Sequence, residues 1–483
     1  MSALFAKAKA CPGTLCVLGL LVVFFIFVAL FRPLLPVDET RYLSVAWEMF
    51  SHKSYFLLTN NGEPYHHKPP LLFWLINGAW HIFGVSRAAA LVPIFLISAA
   101  WLLVMRTLFQ TLRPDQTSRT GTLMWFLLGA FPFLIYATMT MFDMMLSVCV
   151  GATLIFLYRF ARGGLWRDAL IGGLAMGVGV LAKGPAILIF LAGPVLAYGW
   201  WAKGAEGFVS GKRLAAGFGV MFVMALIPVA FWLIPLFMQA DSGFLLNLIW
   251  KQSAGRVSGH MSGSHARPFY FYLMLLPVLF LPWLAFPSVF KGMKSVWGQV
   301  KGGATVPRFL VSVIVPAFIL FSLISGKQPH YLLPLVGPLL LLVFMVAPAL
   351  SDKVVRVTSV TLLSLLCLAH LVGSYTFLKL YDVDGLIAKI KETPHAALGW
   401  SRNYQNELGF LARLDMPVTN LENKEARKWL EDHPGSLLVY RRSLKRTDLA
   451  GIDCFYNQAY RHKVLGLCVL VGDPIAAKGR EEK

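Results

Sequence analysis

The sequence predicts an all-α polytopic membrane protein with about eleven spanning helices and a small α/β domain at its C-terminal end. Three observations carry this. Of the 483 residues, 57% are hydrophobic and only 14% are charged, whereas a soluble chain carries about 25% charged residues. Apolar segments of spanning length recur along the first 377 residues. Beyond about residue 380 the composition turns to that of a soluble domain. The net charge of +20 in a soluble protein would suggest nucleic acid. The mean hydropathy of +0.64 points instead to cationic cytoplasmic loops or anionic lipid, with membrane lipids as partners and no nucleic acid.

The apolar segments run over about 14–31, 88–108, 120–138, 144–160, 168–182, 184–201, 214–237, 269–290, 307–325, 331–349 and 356–377. The first is flanked by Lys7 and Lys9 and reads as a spanning helix rather than a cleaved signal peptide, since no small-residue cleavage site follows it. Residues 69–83 are too short to span and read as an interfacial helix, with Trp74 and Trp80 at headgroup level. With 69–83 kept out of the count, loops 106–119, 159–168, 202–213, 291–308 and 351–356 fall on one side, rich in Lys and Arg and poor in acids. That is the cytoplasmic side by the positive-inside rule. Counting 69–83 as a span would invert every later loop and break the rule. The same orientation puts loop 32–68, Asp143, Lys183, loop 239–268, the turn at 326–330 and the tail together on the outer face.

The expected division is a membrane domain over 1–379, with its outer loop 32–87 and juxtamembrane helices, and an outer α/β domain over 380–483. In the tail, 396–400, 418–421, 436–440 and 464–471 read as strands, and 404–414 and 424–432 as helices. Cys11, Cys16, Cys149 and Cys367 lie in or beside apolar segments, where buried reduced thiols are expected. Cys454 and Cys468 could be bridged in an oxidising compartment or stand as two separate thiols; sequence leaves both open.

Several residues could carry chemistry. The first outer loop holds Asp38-Glu39-Thr40-Arg41-Tyr42 directly after a spanning helix. Asp38 could hold a substrate or remove a proton; taken alone, the favoured reading is a cap for a helix over 39–50, with Arg41 and Glu48 as surface charges. The loop ends in Tyr65-His66-His67-Lys68-Pro69-Pro70. Lys68 could hold a phosphate as a point charge, while adjacent histidines are a weak metal signal because successive side chains diverge. Lys183, at a break between two spanning segments, lies where a chain usually lines a cavity. Loop 239–268 carries Lys251, Arg256, His260, His265 and Arg267, and Lys327 sits in a short outer turn. Each lysine could simply snorkel; together they read as a site for anionic groups such as lipid phosphates. Asp143, alone among methionines, reads as functional.

Asp38 to Tyr42, Asn61-Gly62 with Pro64-Tyr65, Lys68-Pro69-Pro70-Leu71 with Trp74, then Asp143, Lys183-Gly184-Pro185, and Lys327, Pro329, Tyr331, Leu333-Pro334 closely resemble, in order and spacing, the ArnT-like glycosyltransferases. These belong to the dolichyl-phosphate-mannose protein mannosyltransferase superfamily, with the GT-C fold. The resemblance covers about residues 14–350. It implies transfer of a sugar from an undecaprenyl-phosphate donor, with inversion, on the periplasmic face of a bacterial inner membrane. In the ArnT branch the sugar is 4-amino-4-deoxy-L-arabinose and the acceptor is a lipid A phosphate; another envelope glycolipid is the wider expectation. By resemblance, Asp38 and Asp143 are the acidic residues near acceptor and sugar, Lys68 contacts the donor phosphate, Lys183, Arg256 and Arg267 are further phosphate contacts, and Tyr331 lies near the donor.

Lys and Arg at a departing lipid phosphate would stabilise the charge that develops there. A hydroxyl acceptor would make Asp38 a general base, whereas a phosphate acceptor is already ionised and needs none. The family has an acidic residue before the lysine that can ligate a metal with a later histidine. Here that position is His67, and His67 with His265 could bind zinc. The region after 350 is also short for this branch. Two other readings stand beside the first: a protein or polysaccharide glycosyltransferase of the same fold, and a lipid transporter or flippase. A transporter should show mid-helix charges and two similar halves, whereas the charges here lie at outer helix ends. A non-catalytic membrane scaffold would not need Asp38, Lys68 and Asp143.

Overall fold

The computed structural model describes residues 12–240, 243–244, 267–346, 350–443, 451–473 and 475. They fall into two compact units, Met1–Ile26 with His66–Cys367, and Phe27–Tyr65 with Leu368–Lys483. The sequence division grouped loop 32–87 with the membrane domain and began the second domain near 380. The contacts instead group Phe27–Tyr65 with the tail from Leu368, and the side chains of Asp38–His52 show why.

The first unit is helical. Among the described residues seven stretches are long and apolar enough to cross a membrane: Gly13–Phe31, Arg87–Leu112, Phe142–Gly163, Trp166–Leu196, Gly211–Gln239, Thr305–Leu323 and Asp352–Tyr375. The other expected segments are apolar but interrupted. Segment 120–138 forms Thr120–Leu128 and Phe131–Tyr136, broken at Gly129, where a Cβ would lie 2.3 Å from Ser359 Oγ. Segment 331–349 gives the 14-residue helix Leu333–Val346, and 269–290 opens with the short Phe271–Leu279. Part of the expected inside loop 291–308 is helical over Pro287–Lys301, with Phe290 and Trp297 exposed beside Lys291 and Lys294.

Phe142–Gly163 is the hub, packing against Arg87–Leu112, Trp166–Lys183 and Leu333–Val346. Trp166–Lys183 is also pressed against Gly211–Gln239. A Cβ on Gly173 or Gly177 would lie 2.4 Å from the carbonyl oxygen of Met221 or Ala225. Small residues four apart allow this approach, which supplies van der Waals contact where lipid offers no hydrophobic drive. Leu71–Phe83 has 13 residues, about 20 Å at 1.5 Å each, too short to span. Trp80, expected at headgroup level, is buried and donates its indole N–H to the Ser86 carbonyl at 2.8 Å. Trp74 is half-buried against Phe231.

The second unit carries a five-stranded sheet. Its strands are β3 (Leu398–Ser401), β4 (Thr419–Leu421), β5 (Leu437–Arg442), β6 (Ile452–Tyr460) and β7 (Lys463–Leu470). The order is β4-β3-β5-β7-β6, with β3 parallel to β4 and β5, and β7 antiparallel to β5 and β6. One face buries Leu398, Trp400, Val439 and Leu467 with Leu386 and Ile390; the other buries Leu438, Tyr440 and Cys468 with Trp429 and Leu430. Helices Asp384–Glu392 and Ala426–Asp432 supply those partners. Of the helix expected over 404–414, only Gly409–Ala412 forms. Cys454 pairs with Cys468 across β6 and β7 as a disulfide, which decides between the two readings of these cysteines. Cys149 is buried and Cys367 half-buried, but Cys16 is exposed on a spanning helix, where its thiol meets lipid.

Asp38–His52 joins this unit through one face. Thr40 Oγ1 donates to Gln405 O at 2.7 Å, Ser44 Oγ to Asn406 O at 3.2 Å, and Trp47 Nε1 to Leu414 O at 2.9 Å. Positions 40, 44 and 47 are spaced to share one side of a helix. Phe410 N–H donates back to Ser44 Oγ at 3.2 Å, and a Cβ on Gly409 would lie 2.5 Å from that oxygen. Strands β1 (Thr59–Asn60) and β2 (Glu63–Pro64) form a hairpin whose turn, Asn61-Gly62, has positive φ at both residues, as a type I′ turn requires. Glu48 accepts from the backbone N–H groups of Asn61 and Gly62, so it anchors the turn rather than serving as a surface charge. Asn61 Nδ2 donates to Val418 O at 2.9 Å, and Val418 N–H donates to Asn61 Oδ1 at 2.8 Å.

Candidate active site

In the first unit the site forms where helix ends meet. Asp143 is in the first turn of Phe142–Gly163 and Lys183 in the last turn of Trp166–Lys183. Each end suits its charge, because a helix presents partial positive charge at its N-terminus and partial negative charge at its C-terminus. The Lys183 ammonium pairs with the Asp143 carboxylate; the Asp143 side chain is buried and that of Lys183 largely so. An unpaired charge at this depth would cost several kcal/mol by order of magnitude. Asp143, read from sequence as a lone acid, therefore has a dedicated counter-ion.

The turn Pro329–Leu332 closes the cluster. His330 Nε2 lies 4.0 Å from Asp143 Oδ2. The Tyr331 ring faces Lys183, with Nζ 4.4 Å from its centroid, a distance at which the ring quadrupole attracts the cation. His330 also meets the Tyr136 ring at 6.4 Å. Lys68 has its Nζ 5.9 Å from the Phe142 ring centroid and interacts electrostatically with Asp143. Phe73, on Leu71–Phe83, packs edge-on against Phe142 at 5.4 Å. One carboxylate thus has lysines from two segments and an imidazole about it.

Lys327 does something else. It is buried, and its ammonium donates to the carbonyls of Arg267, at 2.9 Å, and Ile324. Burial of this group pushes its pKa below the ordinary lysine value. It fastens the outer turn to Arg267, whose N–H donates to Ser325 O at 3.1 Å, so Lys327 leaves the set of anion-binding cations expected from sequence. The Arg267 guanidinium lies over the Phe271 ring at 4.3 Å. Arg256 and His265 lie outside the described residues. His67 stacks against His66 at 4.8 Å. Among the described residues no group of three or more His, Cys, Asp or Glu is arranged to hold a metal, and no chemical step is derived through one.

Asp38 belongs to the second unit. It is the first residue of its helix and half-buried; Val37 occupies the capping position, without a side-chain capping hydrogen bond. The structure thus removes the capping reading, and Asp38 stays available for chemistry. The buried acid of the pair is Glu39, which accepts from Arg32 Nη2 at 2.8 Å and from the Leu35 N–H at 3.2 Å. Arg32 and Glu39 fix the exit of the first helix, and sequence reasoning did not pair them. It also passed over His330, although that residue stands between Pro329 and Tyr331, both already marked.

Three comparisons with known proteins give matches. The family model described as dolichyl-phosphate-mannose-protein mannosyltransferase matches residues 67–232, which include Lys68, Asp143 and Lys183. An undecaprenyl phosphate-alpha-4-amino-4-deoxy-L-arabinose arabinosyl transferase of Serratia proteamaculans (strain 568) is 29% identical over 444 residues, 87% of this chain and 74% of that protein. The protein of the same description from Yersinia pestis (strain Pestoides F) is 29% identical over 342 residues, with 67% of this chain and 58% of that one covered. The chain thus spans between about half and three quarters of these relatives' lengths. Among solved structures, ArnT from Cupriavidus metallidurans bound to undecaprenyl phosphate superposes with a TM-score of 0.73 at 16% identity, covering 96% of this chain and 99% of that one. An apo oligosaccharyltransferase of Archaeoglobus fulgidus gives 0.51 at 14% identity over 86% of this chain and 65% of that one. At these identities the two structures establish a shared fold.

Proposed function

We propose that this chain, a multi-pass membrane protein and an ArnT-like GT-C family member, transfers 4-amino-4-deoxy-L-arabinose or a related sugar from an undecaprenyl-phosphate donor to lipid A or another envelope glycolipid. The observation that carries this reading is the buried Asp143–Lys183 pair, with His330, Tyr331 and Lys68 about it. It sits at the end of a spanning helix, the level a lipid-borne phosphate reaches.

In the reaction an acceptor oxygen forms a bond to the anomeric carbon as that carbon's bond to the carrier phosphate oxygen breaks, with inversion. The leaving phosphate takes the electron pair, so negative charge grows on it. Lys68 is assigned to that charge, with Arg256 and Arg267 as further contacts; a preorganised cation there stabilises the transition state without reorganising. Asp143 is assigned to orienting the sugar, by pairing with an amino group or accepting from a hydroxyl, while Lys183 and Tyr331 hold it in place. A phosphate acceptor arrives ionised and needs no base; a hydroxyl acceptor would deliver its proton to Asp38.

The reading puts the site on the periplasmic face of a bacterial inner membrane, with the N-terminus cytoplasmic. The Cys454–Cys468 disulfide supports an oxidising compartment for the second unit, and the basic loops support the opposite side as cytoplasmic. Zinc at His67 and His265 belongs to the same proposal, imidazole nitrogens suiting that ion; elemental analysis of the wild type and His67→Ala tests it.

The direct test is binding of undecaprenyl phosphate to the purified chain, measured for the wild type and Lys68→Met. Saturable binding in the wild type, weakened at least tenfold in Lys68→Met, is the expected result. No binding by a folded wild type would overturn the donor assignment.

A further inference from the structure

At the far end of Phe142–Gly163 from Asp143, the helices enclose a second basic feature. The helix has 22 residues, about 33 Å at 1.5 Å per residue. The two features therefore lie near opposite membrane faces. The second is an open cavity of about 440 Å³, lined by Arg159, Arg162 and Arg167, with Thr107, Gln110 and Thr111 on the facing helix. All three arginines are exposed. Among the described residues only Arg167 has an ion-pair partner here, Asp168, at a loose 4.0 Å. Arg159 donates to Thr111 Oγ1 at 3.5 Å.

The surroundings say what such a cavity would take. Leu96 and Leu103, exposed on Arg87–Leu112, lead along that helix to Thr107 and Gln110 at spacings that keep them on one side. Leu170, Ile171 and Leu174 do the same from Arg167. Trp166, next to Arg167 in sequence, is exposed, and an indole suits the water–lipid boundary. A cationic, hydroxyl-bearing pocket thus opens directly onto lipid-facing apolar stripes. A free anion would use only the first part; a phospholipid uses both.

We infer that this cavity binds the headgroup of an anionic phospholipid, its phosphate held by the arginines and its acyl chains laid along the two stripes. The site is independent of the donor site, and its occupant is a resident lipid rather than a substrate. Guanidinium groups suit it because they meet phosphate oxygens with paired N–H donors. If the arginines acted only by orienting the chain in the membrane, their charge would matter but the cavity would not.

The test separates these roles. The full chain is reconstituted in nanodiscs of phosphatidylcholine with a minor fraction of phosphatidylglycerol, and retained lipids are counted by native mass spectrometry. Thr111→Trp fills the cavity and keeps every arginine; Arg159→Gln/Arg162→Gln/Arg167→Gln empties it of charge. The wild type should retain phosphatidylglycerol selectively, and both variants should lose at least tenfold of that enrichment, with millimolar inorganic phosphate failing to displace the lipid. Equal enrichment in the wild type and Thr111→Trp would overturn the inference. So would equal retention of phosphatidylcholine, or displacement by phosphate alone, which would make the ligand a free anion.

Discussion

Lys183 and Asp143, 40 residues apart in sequence, meet as an ion pair whose side chains are 11% and 4% exposed. The pair makes two demands, one on stability and one on chemistry, and they can be separated. Asp143→Asn leaves a buried ammonium without its counter-ion, which should cost about 3–5 kcal/mol. Asp143→Asn/Lys183→Met removes both charges and should recover most of that loss. Thermal unfolding in detergent reads the first effect. Transfer activity should be lost in both variants; recovery of activity along with stability in the double variant would reduce the pair to a structural role.

The face of Asp38–His52 that carries Thr40, Ser44 and Trp47 should be sensitive to bulk at Gly409, where a Cβ meets Ser44 Oγ. Gly409→Val is expected to destabilise this docking by about 1–3 kcal/mol. Asn61→Ala, which breaks both hydrogen bonds with Val418, should cost a similar amount. Faster limited proteolysis within residues 53–64 is the expected signature, with cleavage elsewhere unchanged.

Glu407 gives the second unit a pH dependence. Burial raises its carboxyl above the usual range, opposed by hydrogen bonds from the Gln405 N–H at 2.7 Å and the Tyr460 hydroxyl at 3.1 Å. A raised folded-state pKa means that the native state holds the proton where the unfolded chain has released it. Stability should therefore fall as pH rises from about 4.3, the ordinary glutamate value, through the folded-state value. Glu407→Gln should flatten that slope, as followed by the Trp400 and Trp429 fluorescence transition at several pH values.

Cys454 and Cys468 should resist thiol labelling in intact cells until a reductant is added, since they are bridged. Removing a cross-link that closes a loop of this length should cost about 3 kcal/mol. Labelling of both cysteines without reductant would place the second unit in a reducing compartment and contradict the orientation.

Much of this was legible in the sequence because membrane helices announce themselves by composition. Most of the spanning segments, the short helix after Lys68 and the shared placement of Lys68, Asp143 and Lys183 follow from hydropathy and charge alone; segments 120–138, 269–290 and 331–349 form shorter helices instead. What was not legible depends on partners distant in sequence. Asp143 read as a lone acid because its counter-ion comes from the next helix end. Lys327 read as an anion contact because nothing local shows that carbonyls at 267 and 324 consume its ammonium. Asp38 was open to a capping role because the helix start is uncertain by one residue, and that residue decides the matter. Strand β6, with Asp453, Asn457 and Gln458, is a half-exposed edge whose polar residues hide its alternation. Its partner β7, buried at Leu465, Leu467 and Val469, was plain.

If this site moves a sugar from a polyprenyl phosphate onto an envelope glycolipid, mass spectrometry of lipid A and of the other envelope glycolipids will show it. The cells carry the wild-type gene, no gene, or Asp143→Asn, with protein levels matched. An aminopentose increment on lipid A, or a sugar increment on another glycolipid, is expected in the wild type alone. Lipid A and glycolipids identical in all three, with the wild-type protein present in the membrane, would refute the transfer.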